Sequence, residues 1–134
     1  MSTWLGKLDM LNLLGRNDEL NRSFGEVIEV NPTSEGWLIR GEIHVEAFDF
    51  DRALASFNKS LELDPNSTKA WWYKGVTLGE MDKFNQSIQC LDEAIKIGPD
   101  YADAWYYKGR VLKVLDQTTV ANKSFKKVKE FEER

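Results

Sequence analysis

Large apolar residues recur along the chain with a period of about 34 residues. Four of the five tryptophans follow this period: Trp4, Trp37, Trp71 and Trp105. A second large apolar residue follows each of these tryptophans at the same separation: Phe24, Phe57, Leu91 and Phe125. Pro32, Pro65 and Pro99 also follow the tryptophan of their unit at one constant separation. Three markers in one register indicate four repeat units, approximately residues 1–33, 34–67, 68–101 and 102–134.

Within each unit, the apolar positions follow the period of an α-helix twice. In the last unit the small and apolar residues step by four and three residues in two stretches: Trp105, Gly109 and Leu112, then Ala121, Phe125 and Val128. The prolines end the second helix of their units, because proline cannot continue a helix. Glycine in mid-helix costs about 1 kcal/mol relative to alanine. We therefore expect the three mid-helix glycines to let the second helix approach closely, opposite a small residue: Gly41 with Ala53, Gly75 with Ser87, and Gly109 with Ala121.

These residues resemble the tetratricopeptide repeat, whose pattern is Trp-x2-Leu-Gly-x2-Tyr, then Ala-x3-Phe, then Pro. The second unit carries it as Trp37-x2-Arg40-Gly41-x2-His44, Ala53-x3-Phe57 and Pro65. The first unit departs from the pattern, with Leu8 and Leu20 at the glycine and alanine positions. The resemblance implies an all-α fold, a right-handed α-solenoid of antiparallel helix pairs. It further implies a single domain over residues 1–134, with a divergent first repeat.

Composition and charge narrow the classes of function. The 134 residues are 42% hydrophobic and 30% charged, typical proportions for a folded chain, and the net charge of -4 gives no general attraction for nucleic acid. The single cysteine, Cys90, excludes an internal disulfide and suits a reducing compartment. No stretch approaches the roughly 20 apolar residues that cross a bilayer, and the N-terminus lacks a basic and apolar leader. We expect a cytoplasmic protein without a membrane or nucleic-acid partner.

The first helix of each unit has a second stripe, about 120° from the tryptophan stripe, that the resemblance places on the inner curve of the solenoid. Interior packing does not require this stripe, yet it holds aromatic residues beside charges, which is typical of a peptide-binding groove. The chain is therefore predicted to be an interaction module or scaffold that binds a peptide or protein segment. The alternative for Trp72 and Tyr106 is that they pack between adjacent units. The predicted groove residues are Leu5, Asp9, Leu38, Glu42, Val45, Glu46, Lys69, Trp72, Val76, Glu80, Asp103, Tyr106, Arg110 and Lys113.

The charge of this stripe indicates the chemistry of the partner. One branch of the family captures the terminal carboxylate of chaperone tails with lysine, asparagine and arginine on three successive first helices. Only Lys69 matches that clamp, so a chaperone-type carboxylate clamp is not expected here. Acidic residues occur along the stripe instead, at Asp9, Glu42, Glu46 and Glu80. They favour a basic or basic-amphipathic segment.

The C-terminal end of the chain supports a second function. Lys129 stands where the earlier units have Ile28, Leu61 and Ile95, as expected of a terminal repeat with a polar outer face. Phe131 stands where they have Val30, Leu63 and Ile97, which leaves the cap incomplete. The alternative to groove binding is therefore a self-assembly or docking module of a larger complex or longer chain, with a homo-oligomer joined through Phe131.

Catalytic chemistry finds little support in the sequence. His44 is the only histidine, and it occupies a site that is leucine in the other units, so we expect a packed interior residue. Cys90 has no basic neighbour imposed on it and is interpreted as an inert thiol. The carboxylates of residues 46–51 fall at an interhelix turn, where aspartate commonly caps the next helix. We expect no enzyme activity, no cofactor and no metal site.

Overall fold

The computed structural model describes residues 33–133. In this part of the chain every regular element is a helix, and there are six: α1 Ser34–Glu46, α2 Phe50–Leu63, α3 Thr68–Glu80, α4 Phe84–Ile97, α5 Ala102–Val114 and α6 Thr118–Glu132. The chain divides into two compact units after Leu63. Helices α1 and α2 belong to the first unit, and α3 to α6 belong to the second. The predicted repeat over residues 1–33, with Leu5 and Asp9, lies outside the described residues.

Short polar side chains begin several of the helices. Thr33 caps α1 by accepting a hydrogen bond from the backbone N–H of Gly36 at 3.1 Å, and Ser67 caps α3 by accepting one from Ala70 at 3.2 Å. Asp49 accepts one from the backbone N–H of Arg52 at 3.4 Å at the start of α2. Each cap satisfies an amide that has no partner within its helix. The capping role predicted for the turn over residues 46–51 is thereby confirmed.

The same left-handed turn joins the two helices of each pair. Its second residue has a positive φ in all three pairs: 59° at Phe48, 61° at Asp82 and 62° at Asp116. The following backbone N–H donates back to the carbonyl five residues earlier, at 2.9 Å each time: Asp49 to His44, Lys83 to Leu78, and Gln117 to Leu112. This pattern is the Schellman motif, which satisfies carbonyls at the end of the first helix.

The mid-helix glycines lie against the large apolar residue of the second helix. A Cβ on Gly41 would overlap the ring of Phe57, one on Gly109 would lie 2.6 Å from Cε1 of Phe125, and one on Gly75 would lie 2.8 Å from Cγ of Leu91. The predicted close approach is confirmed, but the nearest atoms at Gly41 and Gly109 belong to a large residue rather than to the expected small one. At Gly75 the expected small residue, Ser87, also contributes: its hydroxyl donates to the Gly75 carbonyl at 2.6 Å.

Helix α5 packs against α3 and α4 in the second unit. The fully buried residues at this contact are Leu91, Ala94 and Ala104, and five partly buried residues surround them: Trp71, Trp72, Ile95, Tyr101 and Tyr107. The indole N–H of Trp71 donates to the Pro65 carbonyl at 2.9 Å, and the same bond joins Trp105 to Pro99 at 2.8 Å. This bond gives a structural reason for tryptophan and proline to recur together. None of the helices within residues 33–133 has both the length and the apolar character needed to cross a membrane.

Candidate functional site

The predicted groove residues of α1 differ widely in exposure. Glu42 and Val45 are half-buried, and Glu46 is exposed. Leu38 was expected to be an exposed apolar anchor, but its side chain is only 2% exposed. That expectation is corrected: Leu38 packs in the interior, because burying a leucine removes apolar surface from water.

The predicted groove residues of α3 and α5 are more accessible. Most are exposed, and two are half-buried; the exposed ones are Lys69, Glu80, Asp103, Tyr106, Arg110 and Lys113, and the half-buried ones are Trp72 and Val76. All eight lie in the second unit, on helices that contact each other. The structure therefore brings this part of the predicted set together on two neighbouring helices.

Trp72 joins α3 to α5. Its indole N–H donates to the backbone carbonyl of Asp103 at 3.2 Å, and its ring lies edge-on to Tyr101 with centroids 6.0 Å apart. It also packs on the buried cluster of Leu91, Ala94 and Ala104. These contacts favour the alternative made from the sequence, in which this tryptophan packs between units. A direct role for Trp72 in binding stays a prediction.

Tyr106 keeps much of its surface open to solvent. Its side chain is 49% exposed, and its ring lies 5.9 Å from that of Phe125 in α6. The guanidinium carbon of Arg110 lies 6.0 Å from the Tyr106 ring centroid and 5.7 Å from the Tyr107 ring centroid. Arg110 is thus placed against two aromatic faces, an arrangement that a cation favours.

Tyr107 fills the space that Gly79 leaves on α3. A Cβ on Gly79 would lie 2.7 Å from the Tyr107 phenol oxygen. The single phenol proton is shared between two acceptors, the Val76 carbonyl at 3.3 Å and Oε1 of Glu80 at 3.1 Å. Burial, together with the negative charge of Glu80, raises the pKa of Tyr107 above its ordinary value, so the phenol keeps its proton to a higher pH than an exposed tyrosine does.

A cavity of about 300 Å³ opens beside this tyrosine. We call it the Tyr107 pocket, and its lining residues are Gly79, Glu80, Asp82, Phe84, Tyr107, Arg110, Val111 and Val114. Two carboxylates and one guanidinium stand among aromatic and aliphatic walls. The cavity is at the small end of the size range for ligand sites. Chemically, the pocket offers apolar surface and charged groups of both signs within one cavity.

Sequence reasoning missed part of this pocket. Tyr107 and Asp82 are not among the predicted groove residues. One signal was available: Gly79 stands where the corresponding helices have Val45 and Lys113, so a side chain is absent from one place on the predicted stripe. The tyrosine that fills the gap, Tyr107, lies on α5, whereas Gly79 lies on α3. Their contact is therefore a tertiary one.

His44 and Cys90, two of the residues weighed for catalysis, lie in the interior. His44 is 1% exposed, as predicted, and burial lowers its pKa to about 4. Cys90 is also buried, which raises the pKa of its thiol and leaves less reactive thiolate at neutral pH. Among residues 33–133, no three His, Cys, Asp or Glu side chains are grouped so that they could hold a metal ion.

Comparison with known proteins places the fold. Family models described as "Tetratricopeptide repeat" match residues 34–67 and 74–115. One similar solved structure, "Crystal structure of MamA", is 25% identical with a TM-score of 0.78, covering 92% of this chain and 73% of that one. Another, "Second TPR of Spaghetti (RPAP3) bound to HSP90 peptide SRMEEVD", is 15% identical with a TM-score of 0.72, covering 79% of this chain and 98% of that one. No curated protein matches the sequence. The similarities confirm the predicted all-α fold.

Proposed function

Because this chain belongs to the tetratricopeptide repeat family, whose members are generally interaction scaffolds, we propose that it binds a basic, amphipathic segment of a protein partner. In this proposal the segment lies along α3 and α5. A lysine or arginine side chain of the partner enters the Tyr107 pocket. The observation that carries the proposal is the pairing of two carboxylates with apolar walls in that one cavity.

The charges of the pocket support a basic ligand. Glu80 is exposed and already holds one phenol hydrogen bond, which fixes its carboxylate at the pocket wall. Asp82 is exposed on the left-handed turn that follows α3. Arg110 supplies the one opposing charge among the lining residues, and it lies against the Tyr107 ring. A cation placed between the two carboxylates would meet a net negative charge at short range.

The apolar walls support an amphipathic ligand. Val111 is buried, whereas Val114 is 63% exposed and lines the same pocket. Exposed apolar surface beside a charged pocket gives a ligand aliphatic contact in addition to ion pairing. The stem of a lysine and a neighbouring leucine of the partner would cover this surface.

The charge preference that we propose is opposite to that of the RPAP3 relative. The peptide bound to that protein ends in EEVD and is therefore acidic. Over the last three units, Tyr73 stands where a carboxylate clamp needs asparagine, and Tyr107 stands where it needs arginine. The Tyr107 phenol is neutral, so it does not offer the positive charge that a clamp supplies, and its hydrogen bond already goes to a carboxylate of this chain.

A charge-matched pair of peptides tests this function. One fluorescein-labelled helical peptide carries lysine and leucine, and its twin carries glutamate in place of each lysine. By fluorescence anisotropy at low salt, we expect the basic peptide to bind about tenfold more tightly, because complementary charges favour the encounter and wrong charges oppose it. Added salt should weaken that binding. Equal or tighter binding of the acidic twin would contradict the proposal.

Single-charge variants locate the binding. Glu80→Gln and Asp82→Asn keep the size of the side chain, and each is expected to weaken binding of the basic peptide by about threefold. Asp100→Asn is the matched control, because Asp100 is an exposed loop carboxylate outside the pocket lining. If Asp100→Asn weakens binding of the peptide as much as Asp82→Asn does, the binding is non-specific and the pocket is not the site.

A further inference from the structure

The contact between α5 and α6 leaves a second cavity, away from the Tyr107 pocket, with a volume of about 500 Å³. We call it the C-terminal groove; its apolar side is formed by Tyr106, Phe125 and Val128. Its polar lining residues are Asn122, Lys126, Lys129 and Glu132, so two positive charges stand against one negative charge. Apolar walls with a border of net positive charge describe a surface that a helix could cover.

The second unit contains an internal template for the occupant of this groove. Helix α5 packs on α3 and α4 through Trp72, Leu91 and Ala94. The positions one repeat period later are Tyr106, Phe125 and Val128 in turn. The residues that hold α5 therefore recur as the apolar side of the C-terminal groove, in the same register. A helix seated there would pack on these residues as α5 does on the preceding pair; the packing differs at Lys113, which stands where Gly79 makes room for Tyr107.

The charges differ between the template and the groove. In the template, Asp92 of α4 forms an ion pair with Lys108 of α5, with Oδ1 and Nζ 2.6 Å apart. One period later, the position of Asp92 is taken by Lys126, and the position of Ile95 is taken by Lys129. A helix docked in the groove would therefore meet a positive charge where α5 meets a negative one.

This reversal selects against a second copy of the chain. The residue three positions after the repeat tryptophan is basic in all four units: Lys7, Arg40, Lys74 and Lys108. Helix α1, α3 or α5, docked in register, would place its basic residue beside Lys126, and like charges repel. An occupant with a carboxylate at that position would form the ion pair with reversed polarity.

We propose that the C-terminal groove binds an acidic amphipathic helix of another protein, seated as α5 sits on α3 and α4. The occupant has a small residue over Val128, in the way that Ala104 packs on Ala94. It has apolar residues three positions before and three positions after that small residue, as Tyr101 and Tyr107 do around Ala104. Its carboxylate directly follows the second apolar residue and faces Lys126. The C-terminal groove shares no lining residue with the Tyr107 pocket and takes a ligand of opposite charge, so this inference does not depend on the function proposed above.

Two peptides derived from α5 test the proposal. Both span residues 101–114; one has the native sequence and the other carries Lys108→Glu. Each is titrated into the full-length isotope-labelled protein, and binding is followed by NMR shifts of the Val128 methyl groups. We expect the Lys108→Glu peptide to bind about two- to fivefold more tightly, the range for one partly exposed ion pair.

Protein variants complete a charge-swap cycle. Lys126→Glu should reverse the preference, so that the native-sequence peptide binds more tightly; because both peptides are used on both proteins, differences in peptide helicity cancel. Lys123→Glu is the matched control, since Lys123 is exposed on α6 but does not line the groove. Circular dichroism checks that both variants remain helical.

Three results would overturn the proposal. The first is an equal affinity of the two peptides for the wild-type protein, and the second is a preference that Lys123→Glu changes as much as Lys126→Glu. The third is a molecular mass, measured by light scattering, that rises with concentration for the wild-type protein while the Val128→Lys variant remains a monomer. That result would assign the groove to a second copy instead.

Discussion

The helix pair α1–α2 and the two later pairs share one packing plan but fill it with different chemistry. All three pairs have a glycine under a large apolar residue and a left-handed turn at the same register. In the first pair, however, His44 occupies the buried site of Leu78 and Leu112. The comparison shows that the glycine contact and the turn are the common features of the helix pair, whereas an individual apolar site tolerates a polar residue.

Hydrogen bonds take the place of apolar contact elsewhere in the first pair. The Ser60 hydroxyl donates to the Ser34 carbonyl at 2.8 Å, and the Ser34 hydroxyl donates to the Ser60 carbonyl at 2.9 Å. The corresponding residues of the next pair are Thr68 and Ala94. Ser60 is fully buried, so its hydroxyl needs these partners, because an unsatisfied buried polar group is costly. Hydrogen bonds between side chains and backbone therefore contribute more to joining the two helices of the first pair than to joining those of the second pair.

The largest expected effect comes from removing the residue over the glycine. Phe57 is fully buried, whereas its counterpart Phe125 is partly exposed. We expect Phe57→Ala to lower the free energy of unfolding by about 4 kcal/mol, from lost burial and the cavity left beside Gly41. Phe125→Ala should have a smaller effect, because less of its surface is removed from water.

Urea unfolding followed by circular dichroism measures both losses, and amide hydrogen exchange shows which helix pair opens in each variant. The second measurement is needed because repeat proteins can unfold one unit at a time. Equal losses in Phe57→Ala and Phe125→Ala would contradict the distinction between a fully buried residue and a partly exposed one.

The next effect depends on pH. Burial lowers the pKa of His44 to about 4, against an ordinary value of 6.5; the charge of Asp49 opposes this shift, and those of Arg40 and Arg52 add to it. Between these values the unfolded chain binds a proton that the folded chain does not, so stability falls as the pH falls from 6.5 to 4. The loss should reach up to about 3 kcal/mol.

His44→Leu, which copies the residue of the later pairs, should remove this part of the pH dependence. Thermal unfolding of both proteins from pH 7.5 to pH 4 measures it, and the difference between their stabilities should be constant above pH 6.5 and widen below it. A difference that stays constant over the whole range would show that His44 does not cause the loss.

The smallest effect concerns the turn residue of the first pair. Phe48 is 80% exposed and has a φ of 59°, a conformation that a bulky side chain disfavours; Asp82 and Asp116 hold the same position in the later pairs. We expect Phe48→Asp to stabilise the protein by about 1 kcal/mol. Asp82→Phe should destabilise it by a similar amount. Urea titration measures both, and the prediction fails if the two changes have the same sign.

The fold was predictable because its markers are local in sequence and repeat. The tryptophan, glycine and proline positions give the period, and the alternation of helices and turns follows from spacing alone. The candidate site was less predictable. The stripe on α3 and α5 includes residues that the structure shows to be accessible, such as Tyr106 and Arg110, whereas the same stripe on α1 includes Leu38, which is buried. Helical periodicity gives the direction of a side chain and not what covers it.

The sequence by itself determined the helices, their pairing and the family, since each of these depends on residues at fixed separations within one unit. Only the tertiary structure decided which side chains remain open. Trp72 is taken up by contact with α5, and Tyr107 fills the gap above Gly79 and holds Glu80 at a pocket wall. Those outcomes depend on the distance between residues of neighbouring repeats, which is set when apolar surfaces pack together and exclude water.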